Sequence, residues 1–89
     1  MRKNVHLVIK TYVREHIIST RRKNKWTKEG MSEKLSMDAR SYADIEKGIS
    51  ACGTVTLILY MVLVLDENEQ ILLLRDLRKQ ILTHWENIA

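Results

Sequence analysis

One run of sequence limits the fold more than any other: residues 55–65 are apolar at every position except Thr56. A helix over this run is hydrophobic on nearly all sides and has to be covered on nearly all sides. The run is about half the length of a membrane span, so burial in protein is expected rather than insertion into lipid. A chain of 89 residues has little else to bury it with. Domains of this size bury only about 60–65% of their unfolded surface, which makes a second subunit an attractive cover. The length also predicts a single domain and argues against an enzyme with separate cofactor and substrate lobes.

The remaining composition suits helices. Apolar residues make up 45% of the chain and charged residues 29%, with three Gly and no Pro. The single cysteine, Cys52, excludes an internal disulfide and a thiolate zinc cage, as suits a reducing cytosol. Lys10, Arg14 and Glu15 break up any signal-peptide core, so a cytoplasmic protein with no membrane partner is expected. His6, His16 and His84 are scattered, with no cluster of carboxylates or thiolates beside them, so no metal or other cofactor is expected. The sequence contains no nucleophile–base arrangement and no phosphate-binding glycine loop. An enzyme is not expected.

Charge is unevenly divided. Residues 1–28 carry nine basic and one acidic residue, net +8, whereas residues 29–89 carry six and ten, net −4. Arg21, Arg22, Lys23, Lys25 and Lys28 form the densest basic run. Such a cluster suits a polyanion, because each phosphate neutralised releases counterions. It equally suits a solvated face, and charge alone does not choose between them.

Apolar spacing predicts five helices and no strand. The first covers about residues 4–24, with Val5, Val8, Ile9, Tyr12, Val13 and Ile17 on one stripe and Asn4 as its N-cap. Thr27 can cap a short second helix over 28–35, and Asp38 a third over 39–47 that Gly48 stops. Between them Ser36 falls where the backbone turns through a left-handed conformation, at a cost of about 1 kcal/mol for a residue other than Gly. A fourth helix covers 55–65. Asp66 and Glu69 read as a capping box that opens a fifth, reaching about residue 87.

Two short helices joined by a tight turn are the minimum description of a helix-turn-helix. Residues 27–38, Thr-Lys-Glu-Gly-Met-Ser-Glu-Lys-Leu-Ser-Met-Asp, are followed by Ala-Arg-Ser-Tyr-Ala-Asp-Ile-Glu-Lys-Gly. This run resembles the Cro/repressor-type (XRE) helix-turn-helix. It matches in register the family's Thr-Gln-Glu-x-Leu-Ala-x-x-Leu-Gly-Val-Ser and its later Ile-Glu-x-Gly. Arg21 falls on the family's helix-1 arginine and Thr56-Leu57 on its helix-4 Thr-Leu, so the resemblance spans about residues 17–65. Lys28 stands for Gln, Ser36 for Gly, Ser32 for Ala, and Cys52-Gly53 for Pro-Ser.

The resemblance implies an all-α, five-helix lambda-repressor-like fold with an extended first helix. Residues 1–65 would form the DNA-binding domain, with the motif at 28–47, and 66–89 a C-terminal helix. Helix 39–47 would enter the major groove and present Ala39, Arg40 and Asp44 to base edges. Arg40 can pair with guanine O6 and N7, and Ala39 can touch a thymine methyl. Asp44 can accept from cytosine or orient Arg40 from one turn away. Lys28, Ser41, Lys47 and Ser50 would contact phosphates. Glu46 would pair inward with Arg21, a structural link. Trp26 and Tyr42 fall on family core positions rather than on base-stacking platforms.

The last helix carries Ile71, Leu74, Leu77, Ile81 and Ile88, a stripe wider than one side of a small domain needs. A homodimer interface through Ile58, Val62, Leu74, Leu77, Ile81 and Trp85 is expected, the alternative being a lid on the chain's own core. The function this implies is a sequence-specific regulator of transcription that binds double-stranded DNA as a homodimer. The alternative is an antitoxin-type or adaptor protein whose C-terminal helices hold a protein partner.

Overall fold

A computed structural model describes residues 2–88, with side chains from 5 to 85. The chain is all-helical, with no strand among the described residues. Its helices are α1 (Arg2–Lys23), α2 (Lys28–Lys34), α3 (Ala39–Glu46), α4 (Thr54–Leu59) and α5 (Glu67–Ile88). A π-helical turn, Tyr60–Val64, continues α4. Because α1 already runs at Arg2, Asn4 lies inside the helix and is not its cap. The side chain of Ile88 lies outside the described residues.

The first three helices stop by one device. In each, the amide three residues past the last helical residue reaches back five residues, and the amide before it reaches back three. These pairs are Trp26 to Arg21 (3.0 Å) with Lys25 to Arg22 (3.0 Å), and Met37 to Ser32 (3.0 Å) with Ser36 to Glu33 (3.1 Å). The third is Ile49 to Asp44 (2.9 Å) with Gly48 to Ile45 (3.1 Å). The device needs a left-handed residue, and Lys25, Ser36 and Gly48 supply it at φ 58°, 55° and 78°. Ser36 and Gly48 match the expected stops; Lys25 was not anticipated. Trp26 and Met37, which follow the two non-glycine stops, lean on the core and help hold the strained turns. Ser36→Gly removes the Cβ clash at the cost of a looser unfolded chain, so a net gain of about 0.5–1 kcal/mol is expected in urea unfolding. A loss of stability would contradict this reading of the turn.

The starts are equally local. Thr27 Oγ1 accepts from the Gly30 amide at 2.9 Å, and Asp38 Oδ1 from the Ser41 amide at 2.8 Å. Asp66 and Glu69 close a reciprocal box, each side chain accepting from the other's amide at 2.8 and 3.0 Å. Ile17, Met31, Leu35, Tyr42, Tyr60 and Leu73 fill the centre. Helix α1 packs along α5, and α2 against α3.

The apolar run is only half covered. Tyr60 and Leu65 are buried and Leu57, Met61 and Val64 lean on the core. Val55, Ile58, Val62 and Leu63 are 54–70% exposed. The π turn widens the helix here, with the Leu65 amide donating to the Tyr60 carbonyl at 3.2 Å and Gln70 Nε2 to the Met61 carbonyl at 2.7 Å.

Candidate nucleic-acid interface

Helix α3 is short, and both its ends are fixed. At its start Asp38 accepts from the Ser41 amide and from the Ser41 hydroxyl at 2.9 Å, and these bonds hold its carboxyl below the usual range. At its end Glu46 is gripped from α1. Arg21 Nε donates to Glu46 Oε2 at 2.7 Å and Arg21 Nη2 to Oε1 at 3.2 Å, a two-pronged bond. The two side chains are 12% and 6% exposed. Tyr42 also donates its hydroxyl to Glu46, and Arg21 Nη1 reaches the Trp26 carbonyl at 3.1 Å. One helical turn pair earlier on α1, Arg14 Nη1 donates to the Glu46 carbonyl at 3.2 Å.

These contacts set the charges. Burial pushes the Glu46 carboxyl up, but hydrogen bonds from Arg21 and Tyr42 and the charges of Arg21 and Lys28 hold it below its ordinary value. Burial and the neighbouring carboxylate raise the Tyr42 phenol, and the bond to Glu46 raises the Arg21 guanidinium. Helix α3 is therefore anchored by a closed, internally neutralised cluster.

Between the two anchors the first turn is open. Ala39 and Arg40 are exposed, and Arg40 makes no ion pair among the described residues. Asp44 is half-buried and forms no pair with Arg40, so the orienting contact is not made. Lys28 is exposed at the first position of α2, Lys47 is exposed just past α3, and Ser50 is exposed in the loop that follows. Ser41 is half-buried with its hydroxyl committed to Asp38. Trp26 and Tyr42 lie against or within the core, and Lys34 sits over the Trp26 ring at 4.4 Å.

No significant match emerges from comparison with protein-family models, curated proteins or solved structures.

Of the residues expected at a dimer face, Ile58, Val62, Leu74, Ile81 and Trp85 are exposed. Leu77 is the exception: it packs against the chain's own core. Helix α5 thus has two stripes at spacings of three and four. One, through Leu73 and Leu77, faces inward; the other, Ile71, Leu74, Ile81 and Trp85, faces out.

Sequence reasoning missed a second anchor. The Tyr60 hydroxyl is buried against α1, hydrogen-bonded to Thr20 Oγ1 at 2.7 Å and His16 Nδ1 at 2.6 Å. Burial lowers the His16 pKa, opposed by Asp76 and Glu69, and raises the Tyr60 phenol to about 12. Nearby, Tyr12 donates to Asp76 Oδ2 at 2.9 Å, tying α1 to α5. The one available signal was that a tyrosine in an apolar run needs a partner for its hydroxyl. Among the described residues no three His, Cys, Asp or Glu side chains are grouped as metal ligands, and no helix is long and apolar enough to cross a membrane.

Proposed function

We propose that this chain is a sequence-specific double-stranded-DNA-binding regulator of transcription, lambda-repressor-like in fold, that acts as a homodimer through helix α3. One observation carries the reading: Ala39 and Arg40 stand exposed and uncommitted on the first turn of a short helix whose two ends are both immobilised. A rigid rod that presents its N-terminal side chains is what major-groove readout requires. The fork of Arg40 reads guanine, while Lys28, Lys47 and Ser50 lie exposed around it for phosphates. Ser41 can serve a phosphate only by giving up its bond to Asp38. Arg22 and Lys25, exposed and outside the Arg21–Glu46 cluster, add sequence-independent attraction that makes binding fall with salt.

One helix reads too few base pairs for a specific address, and a two-fold pair reads two half-sites about 34 Å apart. The exposed stripe of α5, and the exposed Ile58 and Val62, offer apolar surface for that pair. The same exposed surface supports a second reading, an antitoxin-type or adaptor protein that holds a different protein there.

Arg40→Ala separates the two. Because the Arg40 side chain makes no ion pair or hydrogen bond among the described residues, the variant's unfolding midpoint should stay unchanged. Binding to the chain's own upstream DNA should weaken by about 1–3 kcal/mol in fluorescence anisotropy. Unaltered DNA affinity would favour the protein-partner reading.

A further inference from the structure

The first half of α1 and the segment leading from α3 into α4, with Leu57, line a half-open cleft of about 260 Å³. Its walls are apolar: Val5, Ile9 and Val13 from one face of α1 meet Leu57 of α4. Val5 and Val13 are buried, so the floor is built from core and not from loose surface. His6 and Lys10 lie one turn apart on the same wall, and no acidic residue lines the cleft among the described residues. Lys10 is half-buried and makes no ion pair among the described residues.

Shape and charge together narrow the occupant. The volume is just under the range of about 300–1,000 Å³ for drug-sized ligands. A sugar or nucleotide would leave its hydroxyls unpaired against aliphatic walls. An alkyl tail leaves no polar group unpaired there, and Lys10, a lining cation with no ion pair among the described residues, favours one negative charge on the occupant. We infer that this cleft binds a small apolar monocarboxylate, its tail between Val5, Val13 and Leu57 and its carboxylate at Lys10. The site stands whether or not the chain binds DNA.

Cys52 reports on it directly. It is the only cysteine of the chain and it lines the cleft with Ala51. Alkylation of the full chain by iodoacetamide should be slowed by octanoate in a saturable manner and left unchanged by acetate, which has the charge without the tail. In Lys10→Glu the octanoate concentration giving half protection should rise by about tenfold, an attraction having become a repulsion. Lys10→Gln, which keeps the stem, should lie between the two. Circular dichroism confirms that each variant is folded. Three results would overturn the inference: no protection of the unaltered chain, equal protection in Lys10→Glu, or protection that grows with protein concentration without octanoate. The last would mean that a second copy of the chain fills the cleft.

Discussion

Glu46→Ala should lose about 3–5 kcal/mol of folding stability, the cost of leaving one member of a buried ion pair without the other. The substitution strands the Arg21 guanidinium, 12% exposed, and takes the acceptor from the Tyr42 hydroxyl as well. Small domains are stable by only about 5–15 kcal/mol, so a large fraction of the chain's stability is at stake. The pair is costly to break and of little net worth to own, because both charges had to be desolvated. Arg21→Met with Glu46→Leu should therefore recover much of the loss, short of the deficit at Tyr42. The pH dependence follows from the same cluster. The carboxyl of folded Glu46 lies below its unfolded value of 4.5, so the unfolded chain takes up the proton first. Its contribution is complete above that value and disappears as pH falls through the lowered folded one. Guanidinium unfolding across pH 3 to 7 checks both points. A loss under about 1 kcal/mol for Glu46→Ala would show that the pair is solvated and does not anchor α3.

Tyr60→Ala should be as damaging, about 3–5 kcal/mol, since it empties a fully buried ring site in the core, where the π-helical turn is tied to α1. Tyr60→Phe isolates the hydroxyl. It keeps the ring but leaves Thr20 Oγ1 and His16 Nδ1 facing an apolar edge, at about 1–3 kcal/mol. His16 is held neutral here, its folded pKa below the usual 6.5. The stability it carries is present above 6.5 and is lost as pH falls through the depressed folded value, since the unfolded imidazole binds the proton more readily. A Tyr60→Phe protein as stable as the parent would mean that water or a rearranged Thr20 satisfies the site.

What could be read from the sequence was what acts over three or four residues. Thr27, Asp38 and the Asp66–Glu69 box announce helix starts because a short polar side chain reaches an amide three positions on. Gly48 and Ser36 mark stops because the chain must turn left-handed there. Lys25 makes the same turn with nothing in its side chain to show it; the packing of Trp26 imposes it. The Arg21–Glu46 link, 25 residues apart in sequence, was visible only through the family resemblance. Non-local pairs escaped altogether: Arg14 to Glu46, Tyr60 to His16 and Thr20, Tyr12 to Asp76. The stripe of α5 was misread in part because apolar residues occupy two adjacent faces. Leu77 goes inward and Leu74 outward, a choice that packing of α5 along α1 makes and that local spacing does not carry.

The proposed regulator would place two copies of α3 on one duplex. Hydroxyl-radical footprinting on the DNA upstream of the coding sequence tests it most directly. Two protected patches are expected on one face of the helix, centred about 34 Å apart, that vanish together in Arg40→Ala. A uniform, salt-sensitive shielding without boundaries, or no protection at protein concentrations where the chain is folded, would contradict it.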